Sequence, residues 1–298
     1  MKNLFLAVIT AVLLLSGTTA VAGSSHYLSG VEGIKAATLP PPGVYWRVYN
    51  VFYSADKMLD NSGHKVNADF KVNVYALVNR AIYSTNIEIL GGNLIADICI
   101  PLISTDISMK NAGPASFSDN GFGLGDILVE PFLLAWHGPR YDAAVGAGVY
   151  LPSGQFDFRQ PASPGKGFWS FMFTAGGTVY LDAEKTWSAS ILPRYEINTR
   201  QQDTNRTSGD SFHFEWGLGK TLFDYWDVGV AGYNHWQVAN DSGPGATNDR
   251  EEKHAIGPQV SFFYPKWGLG ASLSHLREYR TRASSQGNLT SLMFMLQF

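Results

Sequence analysis

Residues 121–154 read GFGLGDILVEPFLLAWHGPRYDAAVGAGVYLPSG, and this stretch decides the fold predicted for the chain. Apolar side chains occupy every second position on both sides of a turn at residues 137–140. They are Ile127, Val129, Pro131, Leu133 and Ala135 before the turn, and Tyr141, Ala143, Val145, Ala147, Val149 and Leu151 after it. The opposite parity carries Asp126, Glu130, Asp142, Gly146, Gly148 and Tyr150. A period of two predicts two β-strands, each with one apolar face and one polar or small face.

The length of these two strands favours a membrane protein. Strands of soluble proteins usually have about five or six residues, whereas strands that cross a membrane need roughly nine to eleven. We therefore expect the apolar face to contact lipid and the other face to line a lumen. A large soluble β-protein is the alternative.

Composition excludes several other classes. The chain has 298 residues, of which 45% are hydrophobic and 16% charged, and a net charge of −3. Its charges are interspersed, which argues against nucleic-acid binding. A membrane-spanning helix needs roughly twenty apolar residues, and the apolar run at residues 4–15 is shorter. The single Cys99 cannot form an internal disulfide.

The predicted organisation has three parts. Residues 1–22 combine Lys2, the apolar run and a small-residue exit at residues 20–22, which is typical of a secretory signal peptide; a membrane anchor is the alternative. Residues 23–43 are rich in Gly, Ser and Pro, and three consecutive prolines exclude a helix or a central strand there. This segment lies either in the periplasm or in the lumen. Its apolar residues favour the lumen: Tyr27, Leu28, Val31 and Ile34.

Residues 44–298 are predicted to form an all-β transmembrane antiparallel β-barrel of the outer-membrane type with about 12 strands. The strands besides the hairpin at 121–154 are expected at residues 44–54, 67–80, 90–103, 167–182, 186–200, 212–218, 226–238, 255–264, 267–277 and 287–298. Short turns alternate with longer polar loops, the last of them at 278–286. Aromatic residues beside the short turns predict an interfacial girdle: Trp136, Trp187, Tyr225, Trp226, Tyr264 and Trp267.

The same alternation assigns faces to the other strands. In the first strand Val44, Trp46, Val48 and Phe52 are expected outside. In the second strand Phe70, Val72, Val74, Ala76 and Val78 are expected outside, which places Lys71 in the lumen.

Three motifs resemble a known family. They are LPPPGVY at residues 39–45, the block from GLGDI at 123–127 through Pro131 to Trp136 and His137, and LPSG at 151–154. In this order they are similar to the bacterial outer-membrane family named for the meta pathway of phenol degradation, a relative of the sphingosine-induced outer-membrane proteins. Ser153 departs from the threonine often found in that family. The resemblance implies an outer-membrane barrel that takes up hydrophobic compounds, and it implies no catalytic residues.

The residues that the alternation places on the lumen side of the strands form the candidate site. A barrel of eight strands is filled by side chains and one of sixteen has an aqueous channel, so about twelve predicts a narrow or plugged pore. Charges of both signs are expected inside, with Lys71, Asp97 and Arg200 among them, either paired across strands or flanking a path for an aromatic ligand. The candidate lumen residues are Tyr45, Arg47, Tyr49, Tyr53, Asp126, Glu130, Phe132, Tyr150, Arg194, Glu196, His213, Glu215, Tyr233 and His235.

The predicted function is passive uptake of small hydrophobic or aromatic compounds through the bacterial outer membrane. Capture at the long loops precedes a constriction gated by Arg47, Glu130, the tyrosines and the proline-rich segment. The expected partners are outer-membrane lipid and lipopolysaccharide, the barrel-assembly machinery through Phe298, and a hydrophobic small molecule.

Two alternatives from other classes remain open at this point. One is a structural or lipid-responsive barrel with a closed lumen. The other is an envelope hydrolase, since His213, Glu215, Asp227 and His235 share the inner parity of adjacent strands and could bind a metal or perform acid–base chemistry. The sequence offers no convincing nucleophile, so no catalytic residue, metal or cofactor is predicted.

Overall fold

A computed structural model describes residues 25–201 and 203–298, and the predicted signal peptide lies outside these ranges. The described chain forms one antiparallel sheet. Its strands are β1 Gly43–Met58, β2 Asp69–Ile89, β3 Gly92–Lys110, β4 Phe117–Leu124, β5 Ile127–His137, β6 Tyr141–Leu151, β7 Ser170–Tyr180, β8 Trp187–Asn198, β9 Ser211–Leu222, β10 Trp226–Gln237, β11 Glu252–Tyr264, β12 Leu269–Arg282 and β13 Ser285–Gln297. In the described ranges, no helix has the length and apolarity required to cross a membrane.

The sheet closes on itself because β3 pairs with β2 along one edge and with both β4 and β5 along the other. β4 pairs with residues 102–109 of β3, and β5 pairs with residues 93–99. β4 and β5 are therefore the two halves of one strand, which is interrupted at Gly125 and Asp126. The Gly125 N–H still donates to the Pro101 carbonyl at 2.9 Å across this break. The result is a closed barrel of 12 strands, which confirms the predicted fold class.

Short turns lie at the rim where β1 begins and β13 ends. At this rim the Phe298 N–H donates to the Val44 carbonyl at 2.9 Å. Asp182 closes one of these turns: the Thr186 hydroxyl and the Trp187 N–H donate to its carboxylate. These hydrogen bonds lower the pKa of Asp182 from its usual value. This rim is the periplasmic one in outer-membrane barrels, whose longer loops lie at the opposite, extracellular rim.

The predicted loop at residues 278–286 is wrong. β12 continues to Arg282, and Ala283 and Ser284 alone connect it to β13, with Ala283 in the left-handed region at a φ of 48°. The reason is that Glu278 faces the lumen, where it accepts hydrogen bonds from two tyrosine hydroxyls. A polar residue inside a barrel resembles a loop residue in the sequence.

The outer face of β1 agrees with the predicted alternation, since Trp46 and Phe52 are exposed while Tyr45 and Tyr49 are buried. The assignment for β2 is wrong, because Phe70, Val72 and Ala76 are buried whereas Lys71 is exposed.

The length of β2 and β3 explains the inversion at Phe70 and Val72. Both strands are far longer than a membrane crossing requires. Where they rise above the bilayer, their outer face meets water and their inner face packs an apolar cluster: Ala55, Met58, Phe70, Val72, Ile107 and Ala162. Arg200, also expected inside, is exposed beyond the end of β8.

An arginine on the lipid face tests the membrane position of the barrel. Val145 lies in the middle of β6, between Leu134 and Ala175, and is 41% exposed. We expect Val145→Arg to lower the free energy of unfolding by about 2–4 kcal/mol, because the guanidinium would lie near the bilayer centre. Urea unfolding of the barrel in lipid vesicles measures this change.

Leu181→Arg is the matched control, since Leu181 is exposed in the turn after β7. An arginine near the interface should cost about 0–1 kcal/mol. Equal losses for the two variants would contradict the assigned membrane level.

Candidate functional site

Residues 25–42, here called the lumenal segment, run through the interior of the barrel without joining the sheet. Side chains from strands all around the barrel bond to it. The contacts include His26 with Asp126 and Ser170, Ser190 with the Gly33 carbonyl, Ile34 with Gln259, Lys35 with Asp227, and Thr38 with Asp142. The segment passes so close to β9 that a Cβ on Gly217 would lie 2.5 Å from Gly33 backbone atoms. The lumen is therefore occupied along much of its length.

Glu215 on β9 fixes the middle of the segment. Its carboxylate accepts hydrogen bonds from the backbone N–H groups of Gly30 at 2.6 Å and Glu32 at 3.0 Å, and from the Tyr27 hydroxyl at 2.6 Å. The Arg194 guanidinium donates to the same carboxylate at 2.7 Å and lies 4.0 Å from the centre of the Tyr27 ring. Glu215 is fully buried, so these donors replace the water that a carboxylate otherwise requires.

Glu196 on β8 binds the start of the segment in the same way. It accepts the backbone N–H groups of His26 at 2.8 Å and Tyr27 at 3.1 Å, and the Ser25 hydroxyl donates to it as well. The His213 ring stacks on Tyr27 with 4.9 Å between ring centroids. Backbone donors outside a sheet need acceptors when buried, and these two glutamates supply them.

A second charged cluster lies opposite, around Glu32 of the segment. Glu32 accepts a hydrogen bond from Tyr49 at 2.9 Å and from Arg80 at 3.3 Å, and lies 3.7 Å from Arg47. Arg80 donates to Asp97 at 3.1 Å and lies 3.3 Å from a carboxylate oxygen of Glu130. Charges of both signs therefore neutralise one another across the lumen at this level.

A cavity of about 150 Å³, here called the apolar cavity, lies between the segment and the wall formed by β1, β2, β3, β5 and β6. More than half of its lining residues are aliphatic or aromatic, and they include Leu28, Val31, Tyr49, Ala76, Val78, Pro101, Ile103, Leu128 and Tyr150. Pro164 and Lys166 of the loop before β7 border it, as do Arg80, Glu130 and Arg194. The apolar inner faces of β2 and β3 thus leave space that the segment does not fill.

A second cavity of about 230 Å³, here called the outer cavity, lies among the longer loops. Its walls mix aromatic and charged side chains, including Phe156, Phe158, Phe168, Arg206, Asp241 and Glu251. Lys166 borders both cavities, so they are neighbours on the route from the loops into the barrel.

Asp126, His26 and Ser170 form a chain that resembles a catalytic triad. The His26 ring is 2.9 Å from Asp126 through Nε2 and 2.7 Å from the Ser170 hydroxyl through Nδ1. Ser170 is fully buried and also bonds to Asn198. A nucleophile needs access to its substrate, so this chain anchors the segment rather than supporting hydrolysis.

The structure places the candidate residues as follows. Those that face the interior are Tyr45, Arg47, Tyr49, Tyr53, Asp126, Glu130, Tyr150, Arg194, Glu196, His213, Glu215, Tyr233 and His235. The assignment of Phe132 is wrong, because its ring is 66% exposed on the outer surface. The β5–β6 register shifts between Val129 and Phe132, and such a bulge reverses the parity of the following residues. Leu133, expected outside, is consequently buried.

The proposed cluster of His213, Glu215, Asp227 and His235 does not assemble. His213 and His235 stack at 5.8 Å, but Asp227 lies near the other end of β10 and binds Lys35 at 2.8 Å. Across residues 25–201 and 203–298, no group of three or more His, Cys, Asp or Glu side chains is arranged to hold a metal ion.

Sequence reasoning missed the residues that complete the site. Glu32 and His26 lie in a segment without periodicity, and Ser170 lies in a predicted strand without any distinguishing pattern. Arg80 was given no role, although its place on the inner parity of β2 follows once Ala76 and Val78 are known to face inside.

Comparison with known proteins gives one family and several structures. The family model described as "Putative MetA-pathway of phenol degradation" matches residues 55–294. An outer membrane channel from Pseudomonas putida F1 is 15% identical, covers 92% of this chain and 100% of its own, and superposes with a TM-score of 0.77. This similarity shows a shared fold.

Two further structures are less similar. The β domain of the Bordetella autotransporter BrkA is 13% identical over 87% of this chain and 100% of its own, with a TM-score of 0.48. The CymD monoaromatic hydrocarbon channel is 8% identical over 87% of this chain and 89% of its own, with a TM-score of 0.42. No curated protein matches the sequence at a significant level.

Neutralising Glu215 should release the segment. In Glu215→Gln the Arg194 charge loses its buried partner and the N–H groups of Gly30 and Glu32 lose a charged acceptor. We expect their amide hydrogens to exchange at least about tenfold faster, since a loss of about 1.4 kcal/mol of local stability gives that factor. Hydrogen exchange read by mass spectrometry or NMR measures the change.

Glu252→Gln is the control, because Glu252 pairs with Arg280, which is exposed on the outer face of β12. It should leave exchange in the segment unchanged. Protection of Gly30 and Glu32 that survives Glu215→Gln would show that other contacts hold the segment.

Proposed function

This chain belongs to the phenol-degradation family whose model matches residues 55–294, as the sequence motifs predicted, and on that premise we propose that it is a passive outer-membrane channel for small hydrophobic or aromatic molecules. The observation that carries the proposal is the apolar cavity of about 150 Å³ inside the barrel. An engineered protein cavity of about 150 Å³ with apolar walls binds benzene. The space beside the segment therefore suits one aromatic ring.

The proposed route begins at the long loops. The aromatic rings of Phe156 and Phe158 in the outer cavity would bind an apolar solute from water. The solute would then pass Lys166, which borders both cavities, and enter the apolar cavity. Each step exchanges contact with water for contact with apolar side chains.

The lumenal segment and the charged cluster around Glu32 would form the gate. Arg47, Arg80 and Glu130 fill the level below the apolar cavity together with Glu32. Passage of an uncharged molecule requires this packing to open, because the space left beside these charged side chains is only about 20 Å³, which is too small for one aromatic ring. Movement of the segment is the smallest rearrangement that separates Glu32 from its partners.

A structural or lipid-responsive barrel with a closed lumen is the second candidate. The observation that favours it is the complete burial of Glu196 and Glu215 beneath the segment. A comparison of toluene uptake by cells with and without the gene separates the two candidates, because a closed barrel would leave uptake unchanged.

The position in the cell and the partners form part of the same proposal. The exposed apolar residues of the outer face would contact outer-membrane lipid and lipopolysaccharide. The barrel-assembly machinery would recognise the exposed side chain of Phe298.

Filling the apolar cavity should stop uptake. Ala76 is buried and lines the cavity, so Ala76→Met would place a larger side chain in the space for one ring. We expect toluene uptake at limiting concentration to fall to the level of cells that lack the gene. Radiolabelled toluene accumulation in cells carrying the wild-type or variant gene measures this.

Leu77→Met is the matched control, since Leu77 is the next residue on β2 and faces the opposite side of the sheet. It should retain wild-type uptake. Equal toluene accumulation with and without the gene would refute the transport role and favour the closed barrel.

A further inference from the structure

We propose that the Tyr150 hydroxyl makes the apolar cavity selective for small aromatic molecules that carry one hydroxyl group. The inference rests on the proposed channel function and names the substrate class of the same site. It starts from the position of Tyr150 on β6, where the residue is buried and lines the cavity.

The ring of Tyr150 is held in place by the lumenal segment. It stacks on the His26 ring with 4.9 Å between centroids and 16° between planes. His26 is itself fixed by Asp126 and Ser170. Because His26 packs on one face of the Tyr150 ring and is itself held by two side chains, the Tyr150 side chain has a defined position.

The Tyr150 hydroxyl has no hydrogen-bond partner among the residues that the structure describes, and it is not among the sealed polar atoms of the interior. Other buried tyrosines of the lumen differ in this respect. The Tyr27 hydroxyl donates to Glu215 at 2.6 Å, that of Tyr49 to Glu32 at 2.9 Å, and that of Tyr233 to Glu278 at 2.7 Å. Buried polar groups are normally paired, so an unpaired hydroxyl beside a cavity indicates a partner that enters the cavity.

Each charged side chain around the cavity already has a partner. Arg80 is bonded to Asp97, and Arg194 to Glu215, while Lys166 donates to the Ser25 carbonyl at 2.6 Å. A charged ligand would have to be desolvated without a free counter-charge, which is strongly unfavourable. A neutral ring is therefore favoured.

A hydroxyl substituent matches the group that remains. A tyrosine hydroxyl both donates and accepts hydrogen bonds, and a ligand hydroxyl does the same. A hydrocarbon ring of equal size would fill the apolar walls but leave the Tyr150 hydroxyl unpaired. Sites that bond a ligand hydroxyl discriminate against the analogue that lacks it, so phenol should be preferred over toluene.

The test compares phenol and toluene uptake at limiting concentration in cells carrying the wild-type gene or Tyr150→Phe. We expect the ratio of phenol uptake to toluene uptake to fall roughly fivefold, the factor for one neutral hydrogen bond. Tyr141→Phe is the matched control, because Tyr141 lies on the same strand with its ring exposed on the outer face. It should change neither rate.

Unchanged phenol uptake in Tyr150→Phe would overturn the assignment, and an equal fall for both compounds would attribute the effect to cavity shape instead. Binding to the purified protein separates this inference from the channel function. Fluorine NMR titration with 4-fluorophenol and fluorobenzene should show a preference for 4-fluorophenol that Tyr150→Phe removes. If uptake does not depend on the gene but the purified protein still prefers 4-fluorophenol, the channel function is refuted and the assignment of Tyr150 stands. If the wild-type protein shows no preference for 4-fluorophenol, the assignment of Tyr150 is refuted.

Discussion

The bonds between two fully buried carboxylates, Glu196 and Glu215, and the backbone N–H groups of residues 26–32 are the interaction on which the interior depends. Every strand of a closed barrel finds backbone partners in its two neighbours, whereas an inserted segment has none. Its donors need acceptors, and a buried carboxylate needs donors. Each side would be unfavourable alone, so the barrel wall and the lumenal segment stabilise one another.

This requirement also determines where the free space lies. The acceptors for the backbone N–H groups of residues 26–32 are Glu196 on β8 and Glu215 on β9, so this part of the segment is held against that side of the lumen. Beside the cavity, the inner faces of β2 and β3 carry Ala76, Val78 and Ile103, whose side chains accept no hydrogen bond. The apolar cavity lies along that side, because nothing in the backbone of the segment gains from contact with it. The polar anchoring of the segment thus leaves an apolar space beside β2 and β3.

The sequence predicts the barrel because alternation with period two is a property of each strand by itself. It cannot say which face is inside when a strand rises above the bilayer, as the inversion at Phe70 and Lys71 shows. It also gives no sign of the bulge that turns Phe132 outward, since a bulge depends on the neighbouring strand. The alternation puts Glu196 and Glu215 on the inner face of their strands, but it does not identify their backbone partners at residues 26–32, because the segment has no period and lies far away in the chain.

The apolar cavity and the proposed gate share residues, and this sharing would couple ligand binding to opening. Leu28 and Val31 of the segment line the apolar cavity, and His26 stacks on the tyrosine that borders it. A molecule in the cavity therefore loses or changes contacts whenever the segment moves. A ligand shifts a conformational equilibrium only through different affinities for the two states, and these shared contacts supply that difference. A barrel wall alone, whose lining does not move, would bind the same molecule without any effect on the gate.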